Sequence, residues 1–536
     1  MSMKKFWVVS LAVLLISVIV FCSCASEAPK SIPATTPAPK VATSSPPALK
    51  TATVTPRYGG VLKVVASAAM TVIGYPPELG VAGALTYANI CLESLLVADT
   101  TGRYLPRLAS AYEISPDKKS IKLTLRKGVK FHDGTDWNAT AAKWNLDRAL
   151  KANPEGAATA WDSIDIIDDY AIRVNLKRFE NTVLSGFAGV AGYVCSPAAV
   201  EKNGIDWARV NPVGTGPFKF VSFQRDVSIT YERFDTYWGG KPYLEGIKFI
   251  RIQDPVTTSL AFQKGEVDSI SVADPKSASE LRDKGYNILS GTTAMICLLP
   301  DSVNSASPLA NKTVREAVEY AINRESIVKG LGLGFWNSVN QHCPRGFMGY
   351  VTDIPGRNYD PAKAKQLLTQ AGYPEGFKTQ IIANAERFNK DSLVAIQQYL
   401  SEVGIKAELN ILSQPAWTEN ETKGWQNGLL AQSFGLGTYY LSHFPRFLAS
   451  NVAHAASTTR PAGFDQLMNE ALLAADYGTA NQLTQKLVRL LYDNATTLPL
   501  WVTTGVRAEQ KYVHDSGWYS TGGILDWTPE KAWLSQ

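Results

Sequence analysis

The sequence predicts a mixed α/β protein built in more than one lobe. Three observations carry that expectation. Ile121, Leu123 and Leu125 alternate with Lys122, Thr124 and Arg126, the period of a strand with one buried face. Asp360-Pro361 opens, and Gly372 closes, a stretch with Leu367, Leu368 and Ala371 at helical spacing. Of 536 residues, 45% are hydrophobic, and roughly 480 follow Pro56, too many for one ordinary core.

In chain order, the alternating strand is followed by Asp133-Gly134, a turn dipeptide. Asn138 then stands where it can cap a helix running to about Lys151. Gly330-Leu331-Gly332-Leu333-Gly334 follows a helix and reads as a flexible connection. Beyond the helix that starts at Pro361, a second is expected from about Ser392 to Val403, stopped by Gly404. Ile405, Ala407, Leu409 and Ile411 then alternate as a strand. Phe464 to Asn494 reads as two helices broken near Tyr477-Gly478. No internal repeat is visible.

The N-terminal segment predicts export. Lys4 and Lys5 precede Phe6 to Phe21, an uncharged run of 16 residues. A membrane span needs about 20 residues, so the run suits a signal-peptide core. Phe21-Cys22-Ser23-Cys24-Ala25 resembles a bacterial lipobox with Ser23 as the small residue before Cys24. That resemblance implies cleavage at 23/24 and lipidation of Cys24. From Ser26 to about Pro56 the chain is Pro, Ala, Thr and Ser with scattered Lys. It lacks the apolar groups that offset ordering entropy, and its prolines keep it extended. The expected order is signal peptide 1–23, lipidated tether 24–56, then a soluble body.

Charge and motif content narrow the chemistry. The formal net charge is +5, or +3 without Lys4 and Lys5, and no basic cluster interleaved with aromatics suggests nucleic acid. His132, His342, His443, His454 and His514 form no HExxH pair. His342-Cys343 stands alone, so neither a metal nor another cofactor is expected. Nucleophile-elbow and phosphate-loop motifs are absent, and an enzyme is not expected. Cys91, Cys195, Cys297 and Cys343 are widely scattered, leaving both pairing and buried free thiols open. Arg315 and Arg324 fall on a predicted helix, as structural ion pairs or solvated groups.

Several runs occur together and in order: Arg57-Tyr58-Gly59-Gly60-Val61-Leu62, Leu105-Pro106-Arg107-Leu108-Ala109, and Leu125-Arg126-Lys127-Gly128-Val129-Lys130-Phe131-His132-Asp133-Gly134. Gly214-Thr215-Gly216-Pro217-Phe218, Tyr237-Trp238-Gly239, Gly265-Glu266-Val267-Asp268, Val314-Arg315-Glu316-Ala317 and Asp360-Pro361-Ala362-Lys363-Ala364 continue the series. The set resembles bacterial extracellular solute-binding family 5, the peptide- and nickel-type receptors of ABC importers. The resemblance implies a large, type II periplasmic-binding-protein-like fold whose two lobes close over a ligand. It places the N-terminal lobe at 57–291, with an extra subdomain at 94–211, the C-terminal lobe at 292–498, and a return at 499–536. It further implies delivery of a small-molecule solute to ABC permease subunits by a monomeric receptor at the outer face of the cytoplasmic membrane or in the periplasm. A sensory or scaffold lipoprotein that keeps the fold without transport is the alternative.

The same resemblance locates a ligand site. Peptide binders carry a Trp and, some twenty residues on, an acid that pairs with the peptide α-amino group; a buried ammonium is costly without such a partner. Trp417 fits the Trp, and Gly435-Leu436-Gly437-Thr438-Tyr439 falls at the matching spacing, with Tyr439 or Tyr440 in place of the acid. Met295 and Cys297 lie in another matching pocket segment, Val81 and Ala82 in a third, and Trp336 follows the glycine-rich connection. Such a site is aromatic and apolar with little charge, suited to a sugar-like or other neutral solute as an alternative to a peptide. The competing expectation is that Trp417, Tyr439 and Tyr440 simply pack.

Overall fold

Where the side chains alternate, strands form. Ser120–Leu125 buries Ile121, Leu123 and Leu125 and turns Lys122 and Thr124 outward. The structure, a computed structural model, describes residues 55–68, 70–80, 84–99, 101–152, 157–437, 439–519 and 527–536. The signal segment, Cys24, the tether up to residue 54, and Val81, Ala82 and Thr438 lie outside the described residues.

Local capping decides the helices. Asn138 accepts from the Ala141 N–H at 3.0 Å and starts Ala139–Ala152. Asp360 caps Pro361–Gln370, which buries Ala364, Leu367 and Leu368, and Gly372 leaves it at φ +90°. Lys390–Glu402 begins two residues earlier than expected, because Asn389 takes the Ser392 N–H. The two helices expected over 464–494 are Phe464–Leu472 and Tyr477–Asp493, the second opened by Asp476, which accepts from the Thr479 N–H at 2.8 Å. One expectation, the flexible glycine-rich connection, is corrected. Gly330 and Gly332 belong to the helix Arg324–Gly332. At Gly332 a Cβ would lie 2.6 Å from the Trp336 Cβ, so that glycine serves close packing.

Among the described residues the main sheet has eleven strands. Its first half holds Phe218–Gln224, Ser228–Arg233, Gly246–Arg251, Val61–Ala66 and Ser269–Val272. Its second half holds Gly428–Gly435, Phe377–Asn384 and Ile405–Leu412. Between them run two long antiparallel strands, Asn287–Pro300 and Leu498–Glu509, paired from Asn287↔Glu509 to Leu298↔Leu498. Their register shifts between Thr292 and Ala294. Ser269–Val272 flanks the pair only at Val506 to Glu509, and Gly428–Gly435 flanks it only from Ala294 onward. The two halves are thus joined where neither flanking strand pairs with the two long ones, a two-lobed arrangement with its crossing at 291–293 and 503–505. Gly291 and Gly505 sit there against Tyr519: a Cβ would lie 2.6 Å from its Cδ1 and 3.1 Å from its hydroxyl oxygen, respectively.

A separate four-stranded sheet, Ala109–Ile114, Ser120–Leu125, Ala171–Leu176 and Trp161–Asp168, forms the extra subdomain together with the helix Ala139–Ala152. One hydrophobic cluster joins it to the second half, with Leu123, Trp161 and Phe187 sharing a core with Tyr439, Phe444 and Leu472. Polar contacts cross the same seam. The Lys118 ammonium donates to Leu473 O at 2.7 Å, and the Tyr477 hydroxyl donates to Thr101 O at 2.8 Å.

Three of the ordered runs, those carrying Arg107, Thr215 and Tyr237-Trp238, meet at one buried carboxylate. Glu93 is fully buried and accepts from Arg107 Nε at 3.2 Å and from the Thr215, Tyr237 and Trp238 side chains at 2.8 Å each. Arg126 donates to Arg107 O at 2.9 Å and lies over the Trp238 ring. His132 is held between Gly214 N–H and Gly216 O, the latter 2.8 Å from its Nε2, which fixes a neutral ring with the proton on Nε2. Burial pushes its pKa down to about 4. The contacts of Arg107, Thr215, Tyr237 and Trp238 satisfy Glu93 in the interior.

Candidate functional site

A cavity of about 1050 Å³ lies against the crossing strands, lined by Thr292 and Val502 from the pair itself. That is at the upper end of small-molecule pockets, about 300–1,000 Å³. Its far wall is local in sequence. The helix Arg324–Gly332, capped by Asn323, contributes Glu325 and Lys329. The chain leaves this helix through Leu333 and Gly334, both at positive φ, and Asn337–Ser338 then pairs with Val502 and Trp501. Trp336 is pinned between: its ring stacks on Trp501 at 5.7 Å with 4° between planes, and it lines the cavity. Arg345 closes another side.

A rigid ionic cluster backs this helix. Glu319 accepts from Arg357 at 2.7 Å and lies 3.5 Å from Arg324, all three buried. Arg324 also donates to Pro499 O at 2.7 Å, tying the helix to the start of the second long strand. Arg315, on the preceding helix, is satisfied wholly by carbonyls of Leu309, Ala310, Asn494 and Ala495.

The residues expected at the site fall into three groups. Trp336 lines the large cavity. Gly435, Leu436 and Gly437 lie at the crossing: Leu436 N–H donates to Thr293 O at 2.9 Å, and a Cβ on either glycine would meet no atom within 4 Å. Tyr439 lines a second cavity of about 220 Å³ together with Tyr104, Tyr112, Tyr477 and Asn181, its ring 5.4 Å from that of Tyr104.

Met295, Cys297, Trp417 and Tyr440 are the third group, buried in the core at 0–1% exposure. Trp417 donates its indole N–H to Ala431 O at 3.2 Å. Tyr440 donates to His342 O at 2.8 Å and stacks on His443. His342 and His443 face each other through Nε2 atoms 2.9 Å apart, and Thr497 Oγ1 lies 2.9 Å from His342 Nδ1. Burial holds both rings neutral, with His342 pushed down to about 3. Among the described residues no group of three or more His, Cys, Asp or Glu is placed to hold a metal ion.

Glu325, Lys329, Arg345 and Asn181 were not anticipated. In the sequence they read as ordinary surface positions, and only the path of the chain after Gly332 brings the first three to one cavity. The four cysteines of the body are free and buried, which resolves the choice left open above. No helix of the described residues is long and apolar enough to cross a membrane.

Residues 103–446 match the family described as bacterial extracellular solute-binding proteins, family 5 Middle. The glutathione-binding protein GsiB of Salmonella choleraesuis (strain SC-B67) is 31% identical over 314 residues, 57% of this chain and 60% of that protein. The match therefore spans 60% of that relative's length. GsiB of Escherichia coli O157:H7 is 30% identical over 425 residues, 75% of this chain and 81% of that protein. The crystal structure of the ABC transporter substrate-binding protein CtaP from Listeria monocytogenes superposes with a TM-score of 0.77 at 20% identity, covering 90% of this chain and all of that one.

Proposed function

Because the chain belongs to the bacterial extracellular solute-binding proteins, family 5, we propose that it is the substrate-binding component of an ABC importer. It captures a small organic solute between two lobes and hands it to the permease, by binding and not by catalysis. The observation that carries this is the crossing: among the described residues the two long strands join the halves of the sheet there, and a cavity of about 1050 Å³ lies against them at Thr292 and Val502. A ligand favours closure of the two lobes to the extent that it binds the closed form better. The lobes are proposed as 57–291 with the return 499–536, and 292–498; the crossing lies beside both boundaries.

The cargo is of the peptide class or a related organic solute, without a requirement for a free α-amino group. Glutathione, named for the GsiB relatives, is the first compound to try. The weight against an ammonium-gripping site is that Tyr439 or Tyr440 stands where the family resemblance puts an acid. Native mass spectrometry of the purified body would weigh any co-purified ligand, and solute uptake in a deletion strain would link it to transport. Unchanged uptake of every compound that the protein binds would overturn the importer role. Anchoring through a lipid on Cys24 belongs to the same reading; a Cys24→Ser protein that still partitions with membranes would refute it.

A further inference from the structure

We propose that the cavity at the seam, the one lined by Tyr439, is a second binding site, for a small neutral ring compound carrying one O–H or N–H donor. It goes beyond the receptor reading, because among the described residues this cavity and the large one share no lining residue. Asn181 and Tyr104 both line it and both are buried, at 4% and 9% exposure. Asn181 commits its amide N–H donors to Ala471 O and Ala474 O, at 2.7 and 3.1 Å. That fixes its orientation, since a flipped amide would set an oxygen against two carbonyls. Its Oδ1 is left without a partner among the described residues, and so is the Tyr104 hydroxyl. The Ser185 hydroxyl near Tyr104 donates to Thr182 O at 2.6 Å and so offers it no proton.

A buried polar atom without a partner is costly, and a donor brought to it relieves that cost. Both atoms can take one, because an amide oxygen accepts only and a phenol oxygen accepts as well as donates. The walls decide the rest of the molecule. Tyr104, Tyr112, Tyr439 and Tyr477 present rings, which favour a flat partner over a flexible chain. A volume of about 220 Å³ is room for one ring system. A cavity of about 150 Å³ already holds benzene. The two charges of the lining are opposite and engaged. Asp476 accepts from the Thr479 N–H, and the Arg103 guanidinium lies 4.8 Å over the Tyr477 ring. A charged ring would be buried there without a dedicated counter-charge, so a neutral one fits.

The experiment is an NMR titration of the purified protein with phenol and indole, with their isosteres toluene and indene, and with cyclohexanol, benzoate and benzylammonium. Phenol and indole should bind about 10-fold more tightly than the other five. Tyr104→Phe keeps the ring and removes one acceptor together with an unpartnered buried hydroxyl. It should cut phenol affinity several-fold, while the melting temperature of the ligand-free protein stays level or rises. Equal binding of phenol and toluene, or preference for cyclohexanol or either charged ring, would overturn the inference. So would unchanged phenol affinity in Tyr104→Phe, or a falling melting temperature, which would mean that the hydroxyl has a partner in the fold. Binding of none of the seven compounds would overturn it as well, leaving ordered water to satisfy both atoms. None of these outcomes bears on the receptor reading, which solute uptake tests.

Discussion

The side-chain amide of Asn181 donates to Ala471 O at 2.7 Å and so closes the C-terminal end of a helix, Phe464–Leu472, on the other side of a seam. The same amide donates to Ala474 O at 3.1 Å, and the Asn181 backbone N–H donates to Leu472 O at 2.7 Å. These carbonyls are left over by any helix end, and here the extra subdomain satisfies them. Asn181→Ala removes the two side-chain bonds, each about 1 kcal/mol net, and should weaken this contact across the seam by about 2 kcal/mol. Small-angle scattering of ligand-free protein should show a larger radius of gyration, and ligand affinity should fall with the closed population. Unchanged scattering and unchanged affinity would remove Asn181 from closure.

Glu93 is the second test. Glu93→Gln leaves the Arg107 guanidinium without its charge partner among four groups arranged for a carboxylate. Breaking one side of a buried pair costs about 3–5 kcal/mol, which urea unfolding would measure. Glu93→Gln combined with Arg107→Gln should cost less than the two single changes added together; strict additivity would mean the groups are not coupled.

Acid should destabilise the protein through three histidines. His132, His342 and His443 are neutral in the folded state, with pKa values pushed down to about 4, to about 3 and well below the usual range. The unfolded chain binds these protons near pH 6.5, so it holds more protons than the native state below that pH, and stability falls as pH falls. Each contributes a loss of about 2 kcal/mol between pH ~6.5 and ~5. Melting temperature should therefore drop over that interval, and His132→Gln should flatten the slope. A flat profile from pH ~6.5 to ~5 would contradict the neutral assignment of these rings.

Thiol reactivity provides a further check. Cys91, Cys195, Cys297 and Cys343 are buried and free, and burial pushes the first two up to about 12. A thiol reagent should find none of them in the native body and all four after denaturation, because the thiolate is the reactive form. Fast labelling of the folded protein would show that one of these sites opens readily.

Local features of the sequence were read well, and for a physical reason. Asn138, Asp360 and Gly372 act on backbone groups a few residues away, and the strand around Leu123 needs only its own alternation. The long strand Asn287–Pro300 was not legible as a crossing element, because Met295 to Pro300 is buried throughout and shows no period. At the site, aromatic and apolar residue types carry the same signature in a pocket wall and in a core. Trp336 turned out to line a cavity, whereas Trp417 and Tyr440 pack inside. Lys329 and Arg345 resembled solvated surface, since their juxtaposition depends on a helix end and a strand pairing far from any motif.

Tyr519 holds a left-handed backbone, φ 59°, that an ordinary side chain adopts at a cost of about 1–2 kcal/mol. Its ring is wedged over Gly291 and Gly505 together. A rotation of one long strand against the other would have to carry both glycines past this ring. A larger side chain at Gly291 or Gly505, neither of which lines the large cavity, should therefore change the angle between the halves of the sheet, an outcome small-angle scattering would read.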